Sequence, residues 1–144
     1  MLKQLQQNPE ILREYDSIIR DQLRRGIVEE VGDSDVAPDM IHYLPHHAVI
    51  RHDKETTKVR VVYDASARSN GTSLNDCLHT GPKFNQRILE ILLRFQSYPV
   101  AFIADIEKVF LMISVNPQDR DVLRFLWVRD PFSSDPEIVA LRFT

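Results

Sequence analysis

Between Asn8 and Gly26 the apolar residues Ile11, Leu12, Tyr15, Ile18, Ile19 and Leu23 recur at spacings of three and four. That period places them along one stripe of an α-helix, and such a helix needs an apolar surface to lie against. The punctuation agrees. Asn8 can accept from the backbone donors of a first turn, Pro9 suits the first helical position, and Gly26 suits the left-handed residue that closes a helix. Ile27 and Val28 then lead into the polar, turn-rich stretch GDSDVAPD.

Downstream the period changes from three-and-a-half to two. The runs 46–51 (HHAVIR) and 58–64 (KVRVVYD) are rich in β-branched residues and flank the polar linker HDKETT. They predict an antiparallel hairpin. On its second strand Val59, Val61 and Tyr63 share one face, and Lys58, Arg60, Val62 and Asp64 share the other. Two cations thus project the same way from a rigid element. Five basic residues lie between Arg51 and Arg68, counting Lys54, Lys58 and Arg60, against the three acids Asp53, Glu55 and Asp64. That surplus can meet phosphate, or it can be a solvated face.

After the turn at Asn70-Gly71, residues 84–96 predict a second amphipathic helix with Phe84, Ile88, Ile91, Leu92 and Phe95 on one stripe and Pro82 just ahead. VAFIA (100–104) predicts a short apolar strand with Asp105 at its exit. Residues 111–115 predict an extended piece. Asn116-Pro117 opens a brief helical turn through Asp121, and 122–128 and 137–143 predict two strands around RDPFSSDP. Helix, hairpin, helix, then strands is an α+β order rather than regular βαβ alternation. No internal repeat is present.

Composition excludes several classes. The 144 residues are 43% hydrophobic and 27% charged, ordinary values for a globular domain. Cys77 stands alone, so no intrachain disulfide forms and a reducing, intracellular setting is expected. The opening MLKQLQQNPE lacks the apolar core of a signal peptide, and no apolar run approaches the ~20 residues that span a bilayer. A formal net charge of −3 argues against strong indiscriminate nucleic-acid binding.

The chemistry centres on FIADIEKVF (102–110). A carboxylate at the end of a buried apolar strand sits at a sheet rim, where it can meet a divalent ion such as magnesium. Asp105 can equally cap the turn after the strand through backbone donors. Phe110 reads from the residues alone as a core aromatic. His42, His46 and His47 invite a zinc reading. Pro45 breaks any helix there, a strand would send His46 and His47 to opposite faces, and no Cys is near enough to complete a ligand set. They are expected to be structural or surface histidines.

Three segments in order, KVRVVYDAS (58–66), ADIEKVFLMISV (104–115) and NPQDRDVLRFLW (116–127), together resemble the fingers and early palm of reverse transcriptases of the BEL/Pao-type long-terminal-repeat retrotransposons. YLPHH (43–47) and the lead-in NPEILREYDSIIRDQLRRGIVEEV (8–31) extend the resemblance over nearly the whole chain. It implies a partial right-hand polymerase fold, an antiparallel sheet with flanking helices. The implied divisions are a lead-in helix (1–32), a fingers hairpin and loop (33–83), and a fingers helix with early palm (84–144).

The resemblance also implies roles. Asp105 matches the first catalytic aspartate, which bridges two magnesium (or manganese) ions, and the Ile106 carbonyl touches the nucleotide-side ion. Arg60, with Lys58 beside it, matches the cation that holds the incoming triphosphate; guanidinium suits phosphate because its planar fork binds two oxygens at once. Arg51 and Lys54 align loosely nearby. Phe110 matches the aromatic gate against a 2′-hydroxyl, and Asp64 a support position in the fingers. Implied partners are an RNA or DNA primer–template, deoxynucleoside triphosphates and the rest of a polyprotein, with no membrane.

The family's later motifs, a Gly-containing segment with SP and a YxDD-type pair, are expected after Thr144, and the sequence holds no Asp-Asp pair. A truncated fragment without polymerase activity of its own is therefore expected. Two other readings stand beside this one. A non-enzymatic nucleic-acid or protein interaction module derived from a retroelement would use the basic hairpin and an exposed palm edge. A phosphotransferase with Asp105 as nucleophile would usually want a second Asp two residues on, where this chain has Glu107.

Overall fold

The computed structural model describes residues 1–32, 40–51, 59–68, 71–83 and 86–144. Lys54, Lys58, Asp53, Glu55, Asn70 and Phe84, named above, lie outside the described residues, as does the whole of the hairpin linker HDKETT.

The first helix of the chain is a short one, α1 (Leu2–Leu5), which sequence periodicity does not announce. The predicted amphipathic helix follows as α2 (Pro9–Arg24). Asn8 Oδ1 accepts from Ile11 N at its start. At its end Gly26 takes φ +67, Gly26 N donates to Leu23 O and Ile27 N donates to Gln22 O. This paired bonding satisfies the last carbonyls and needs a residue that tolerates positive φ. Leu12, Tyr15 and Ile19 of the stripe are almost fully enclosed, Ile11 and Ile18 are partly buried, and Leu23 at its end is exposed.

Three strands make one antiparallel sheet in the order β1 (Val28–Glu30), β5 (Ile138–Phe143), β4 (Arg124–Val128), and β2 (His46–Ile50) pairs with β3 (Val59–Tyr63) in a second. The predicted hairpin forms in the register Ala48↔Val61 and Val49↔Arg60. β4 and β5 fall close to their predicted places, with Phe125↔Leu141 and Trp127↔Val139 paired. Val28, read from sequence as the entrance to a loop, begins a strand instead, because β5 offers it an antiparallel partner in Phe143. The chain is thus mixed α+β with antiparallel sheets and flanking helices. Among the described residues no helix is long and apolar enough to cross a membrane.

The core is where α2, the hairpin and the three-stranded sheet converge. Tyr15, His46, Tyr63, Phe125, Trp127 and Phe143 form a connected set of rings with neighbouring centroids 4.9 to 5.9 Å apart. Offset and edge-on contacts at such spacings are favoured by the ring quadrupoles. Two polar groups inside find partners: Trp127 Nε1 donates to Asp16 Oδ1 at 3.0 Å, and Tyr63 Oη donates to Gln22 Oε1 at 3.1 Å. Burial pushes both the Tyr15 and Tyr63 phenols well above the ordinary tyrosine range.

The opposite face of the sheet carries charge. Arg124 and Arg142 lie directly across from one another on β4 and β5, an unfavourable pairing unless an anion intervenes. Asp121 supplies it, its Oδ1 accepting from Arg124 Nε at 2.8 Å and Arg142 Nη1 at 2.9 Å, while Glu29 Oε1 on β1 accepts from Arg142 Nε at 2.8 Å. Burial alone would raise the Asp121 pKa, but the hydrogen bonds from Arg142 and Arg124 outweigh it and hold the carboxyl below the usual range.

Three sequence expectations fail. The second helix, α4, spans Ile88–Gln96, following the short α3 (Leu74–Cys77), and starts later than the predicted 84. Its apolar stripe, Ile88, Ile91, Leu92 and Phe95, is exposed rather than buried. The strand predicted at 100–104 does not form; those residues have no regular structure and all are exposed. A strand persists only where a neighbour takes its backbone donors and acceptors, and no described strand lies beside this run. The 111–115 piece is likewise not a strand; a 3₁₀ turn occupies Val109–Met112.

The Asp16–Trp127 contact yields a direct test. Replacing Asp16 by Ala leaves the buried indole N–H without an acceptor, and chemical denaturation should show a loss of about 1–3 kcal/mol. Asp16→Asn, which keeps an acceptor, should lose clearly less. Equal losses in the two variants would mean the hydrogen bond does not stabilise this core.

Candidate functional site

Arg60 lies on the outer face of β3, opposite Val49 and exposed, while its neighbours Val59 and Val61 turn inward. The predicted division of that strand into an inner apolar and an outer face is therefore present. The outer face carries His47, Val49, Arg60 and Val62, a cation and an imidazole set among aliphatic groups. Asp64, just after the strand, is occupied locally: its Oδ1 accepts from Ser66 N at 2.9 Å, closing the turn that follows.

Asp105 is exposed within the irregular stretch 101–106 and has no hydrogen-bond or ion-pair partner among the described residues. It is not at a strand exit, which corrects the sequence expectation. Ile106 beside it is 68% exposed, and Phe110 is 85% exposed, so Phe110 is not the core aromatic that its residue type alone suggests. Phe102 and Ile103 ahead of the aspartate are 89% and 88% exposed. Adding α4, a long apolar segment lies uncovered on both sides of one carboxylate. Apolar surface on this scale marks a place where something else packs.

The segment touches the folded body at its far end. Lys108 adopts a left-handed φ of 54° and, with Leu111, faces the polar side of α2 across a cleft of about 630 Å³ lined also by Ser17, Arg20, Asp21 and Arg24. Its cations are largely spoken for: Arg20 Nε bonds Asp16, Arg24 bonds Asp21, and Lys108 Nζ lies 3.7 Å from Glu107. Hydrogen bonds and charge from Arg24 and Arg25 hold the Asp21 carboxyl below its ordinary range against an opposing burial effect. Sequence reasoning gave this cleft no weight because Arg20, Asp21 and Arg24 look like any solvated helix face.

Among the described residues no three of His, Cys, Asp and Glu converge as a metal site would require. His46 is inside the core, with Nε2 bonded to the Leu126 carbonyl at 2.8 Å and Nδ1 to the Tyr15 hydroxyl at 2.5 Å. His47 points outward from the other side of the strand, as alternation requires. Among the described residues no hydrogen bond, ion pair or ring contact joins Asp105, Ile106 or Phe110 to Arg60. In comparisons with known proteins no family model matches the chain, and no curated protein or solved structure matches it significantly.

Because Phe102 and Phe110 are uncovered, replacing either by Ser should change folding stability by no more than about 0.5 kcal/mol, while lowering the binding of a hydrophobic fluorescent dye. The same change at Phe125, which is fully buried, should cost at least about 3 kcal/mol. A comparable loss at Phe110 would show that its ring is packed in solution.

Proposed function

We propose that this chain is the fingers and first part of the palm of an RNA-directed DNA polymerase of the BEL/Pao-type retrotransposons. The observation that carries the reading is the ordered run of KVRVVYDAS, ADIEKVFLMISV and NPQDRDVLRFLW behind YLPHH and the lead-in helix. Two structural features support it. Arg60 projects into solvent from a rigid hairpin, as a triphosphate-holding guanidinium must. The apolar run through Asp105 is uncovered, the expected condition of a palm strand whose neighbours belong to another part of the protein. In this reading Arg60 and Lys58 take the triphosphate, Phe110 screens the sugar, and Asp105 with the Ile106 carbonyl lies beside the reacting phosphate.

Magnesium does not fit the described residues by themselves. Asp105 is a single exposed carboxylate, Glu107 lies toward Lys108, and no third acidic or imidazole group joins them. Two ions poised for phosphoryl transfer need more carboxylate oxygen than that. No step is therefore assigned to the ions, and the activity proposed for this chain on its own is binding.

A second reading, a non-enzymatic interaction module derived from a retroelement, draws on the extent of exposed apolar surface from Ile88 to Ile113. The two readings separate experimentally. This chain should bind primer–template without incorporation, and Arg60→Ala should weaken binding and reduce the slope of log affinity against log salt by about one. In the longer protein of the same reading frame, Asp105→Asn should abolish nucleotide incorporation and leave primer–template binding in place, and Phe110→Val should admit ribonucleotides. Incorporation undiminished by Asp105→Asn would end the polymerase assignment; a reading frame with no YxDD-type pair downstream would favour the module.

A further inference from the structure

Both ring nitrogens of His46 are committed inside the core, and together they specify one neutral tautomer. The Leu126 carbonyl can only accept, so Nε2 carries the proton across 2.8 Å. Nδ1 is then the lone pair that accepts from the Tyr15 hydroxyl at 2.5 Å. The same ring lies 5.3 to 5.9 Å from the rings of Tyr15, Tyr63, Phe125 and Trp127. Through this one side chain β2 is tied to α2 and to β4.

We propose that His46 is an acid-sensitive latch: protonation of its Nδ1 frees the β2–β3 hairpin from α2 and the three-stranded sheet while the rest of the fold holds. A proton on Nδ1 turns the acceptor into a donor aimed at another donor. Tyr15 must then turn its O–H away, and the alternative acceptor beside it is Met1 Sδ at 3.8 Å, a weak one.

Among the described residues no neighbouring group offsets the new charge. From α2 come the Tyr15 phenol, Gln22 (bound to Tyr63), and Asp16, whose carboxylate is already taken by Trp127 Nε1 and Arg20. β3 brings the Tyr63 phenol, and β4 brings Phe125, Trp127 and the Leu126 carbonyl. The charges that bear on the ring are the amino terminus and His47, and both oppose a further cation. Burial comes first among the causes that hold the imidazole below its ordinary value of 6.5, outweighing the bond to Leu126.

The sign follows from linkage. The unfolded imidazole takes its proton near 6.5 and the folded one only at lower pH, so the stabilisation is complete above 6.5 and drains as pH falls from there through the folded value. The loss falls on the hairpin because the remainder keeps its own bonds: β1, β5 and β4 form their own ladder, α2 keeps its contact with β1, and Asp16 still bonds Trp127. A two-stranded hairpin without such support is marginal in water.

Hydrogen exchange of backbone amides, read separately for β2–β3 and β4–β5 above and below 6.5, tests this, with the fluorescence of Trp127, the single Trp, as a second readout. Opening takes up one proton, so the hairpin's opening equilibrium should rise by up to about tenfold per pH unit within the window, with β4–β5 protection unchanged. His46→Gln, which can donate to Leu126 and accept from Tyr15 without titrating, should remove the pH dependence. Tyr15→Phe, which takes away the donor that favours the neutral ring, should move the midpoint upward, and His47→Gln should leave the transition in place. The latch is excluded if wild-type hairpin exchange is flat across the window or if β4–β5 opens with it. It is also excluded if His46→Gln keeps the transition. Should His46→Gln fail to fold, an unmoved midpoint in Tyr15→Phe excludes it equally.

Discussion

The structure depends on one buried junction, the imidazole of His46 held between the Tyr15 hydroxyl and the Leu126 carbonyl. Neither sheet is large: one has three strands and the other two. Small sheets of that size gain stability by sharing an apolar face with something else. Here α2 supplies the shared face, and the ring cluster around His46 joins the two sheets to it. A polar side chain at that point is affordable because each of its nitrogens has a partner, which removes most of the penalty of burying it. The consequence is specificity. A leucine in the same place would fill the volume but would set neither the angle of β2 nor the position of β4.

Charge on the other side of the sheet performs a related task. Asp121 sits in the 3₁₀ helix Pro117–Leu123, just ahead of β4, and bridges the cross-strand arginines Arg124 and Arg142, while Glu29 extends the ladder to β1. Thr144 closes the arrangement, its N–H donating to Ile27 O and its carbonyl accepting from Val115 N. The segment that carries Asp105 is thereby anchored at its downstream end, at Val115, and left without cover before it. Such a division separates a packed body from a stretch whose apolar side chains are uncovered.

Much of the body was legible in the sequence. The 3.6-residue period with Asn8, Pro9 and Gly26 located α2, and the two-residue alternation of Val59, Val61 and Tyr63 located the buried side of β3. β-branched and aromatic content with a turn-rich interval located β4 and β5. These signals are local and agree with the tertiary packing. The misses have a common cause. Residues 88–96 and 100–104 carry as strong an apolar pattern as α2, and a pattern states only that a segment can be buried. Burial needs a second surface, which no periodicity within the segment reports. The candidate site shares that difficulty: only the resemblance groups Asp105, Phe110 and Arg60, and their assembly would require contacts that the described residues do not contain. His46 is a different case: Pro45 and strand alternation already spoke for a structural histidine over a zinc ligand, but the tie between Tyr15 and Leu126 is long-range and has no local signal.

The stretch from His42 to His46 has a further effect through its position along β4. His42 O accepts from Arg124 N, Leu44 N donates to Arg124 O, and His46 reaches the Leu126 carbonyl, so this border of the sheet is hemmed by the chain's own backbone and one imidazole. Open borders are where foreign strands add and templated stacking begins. A foreign strand that sought β4 would therefore have to displace the 42–44 backbone and the His46 ring first.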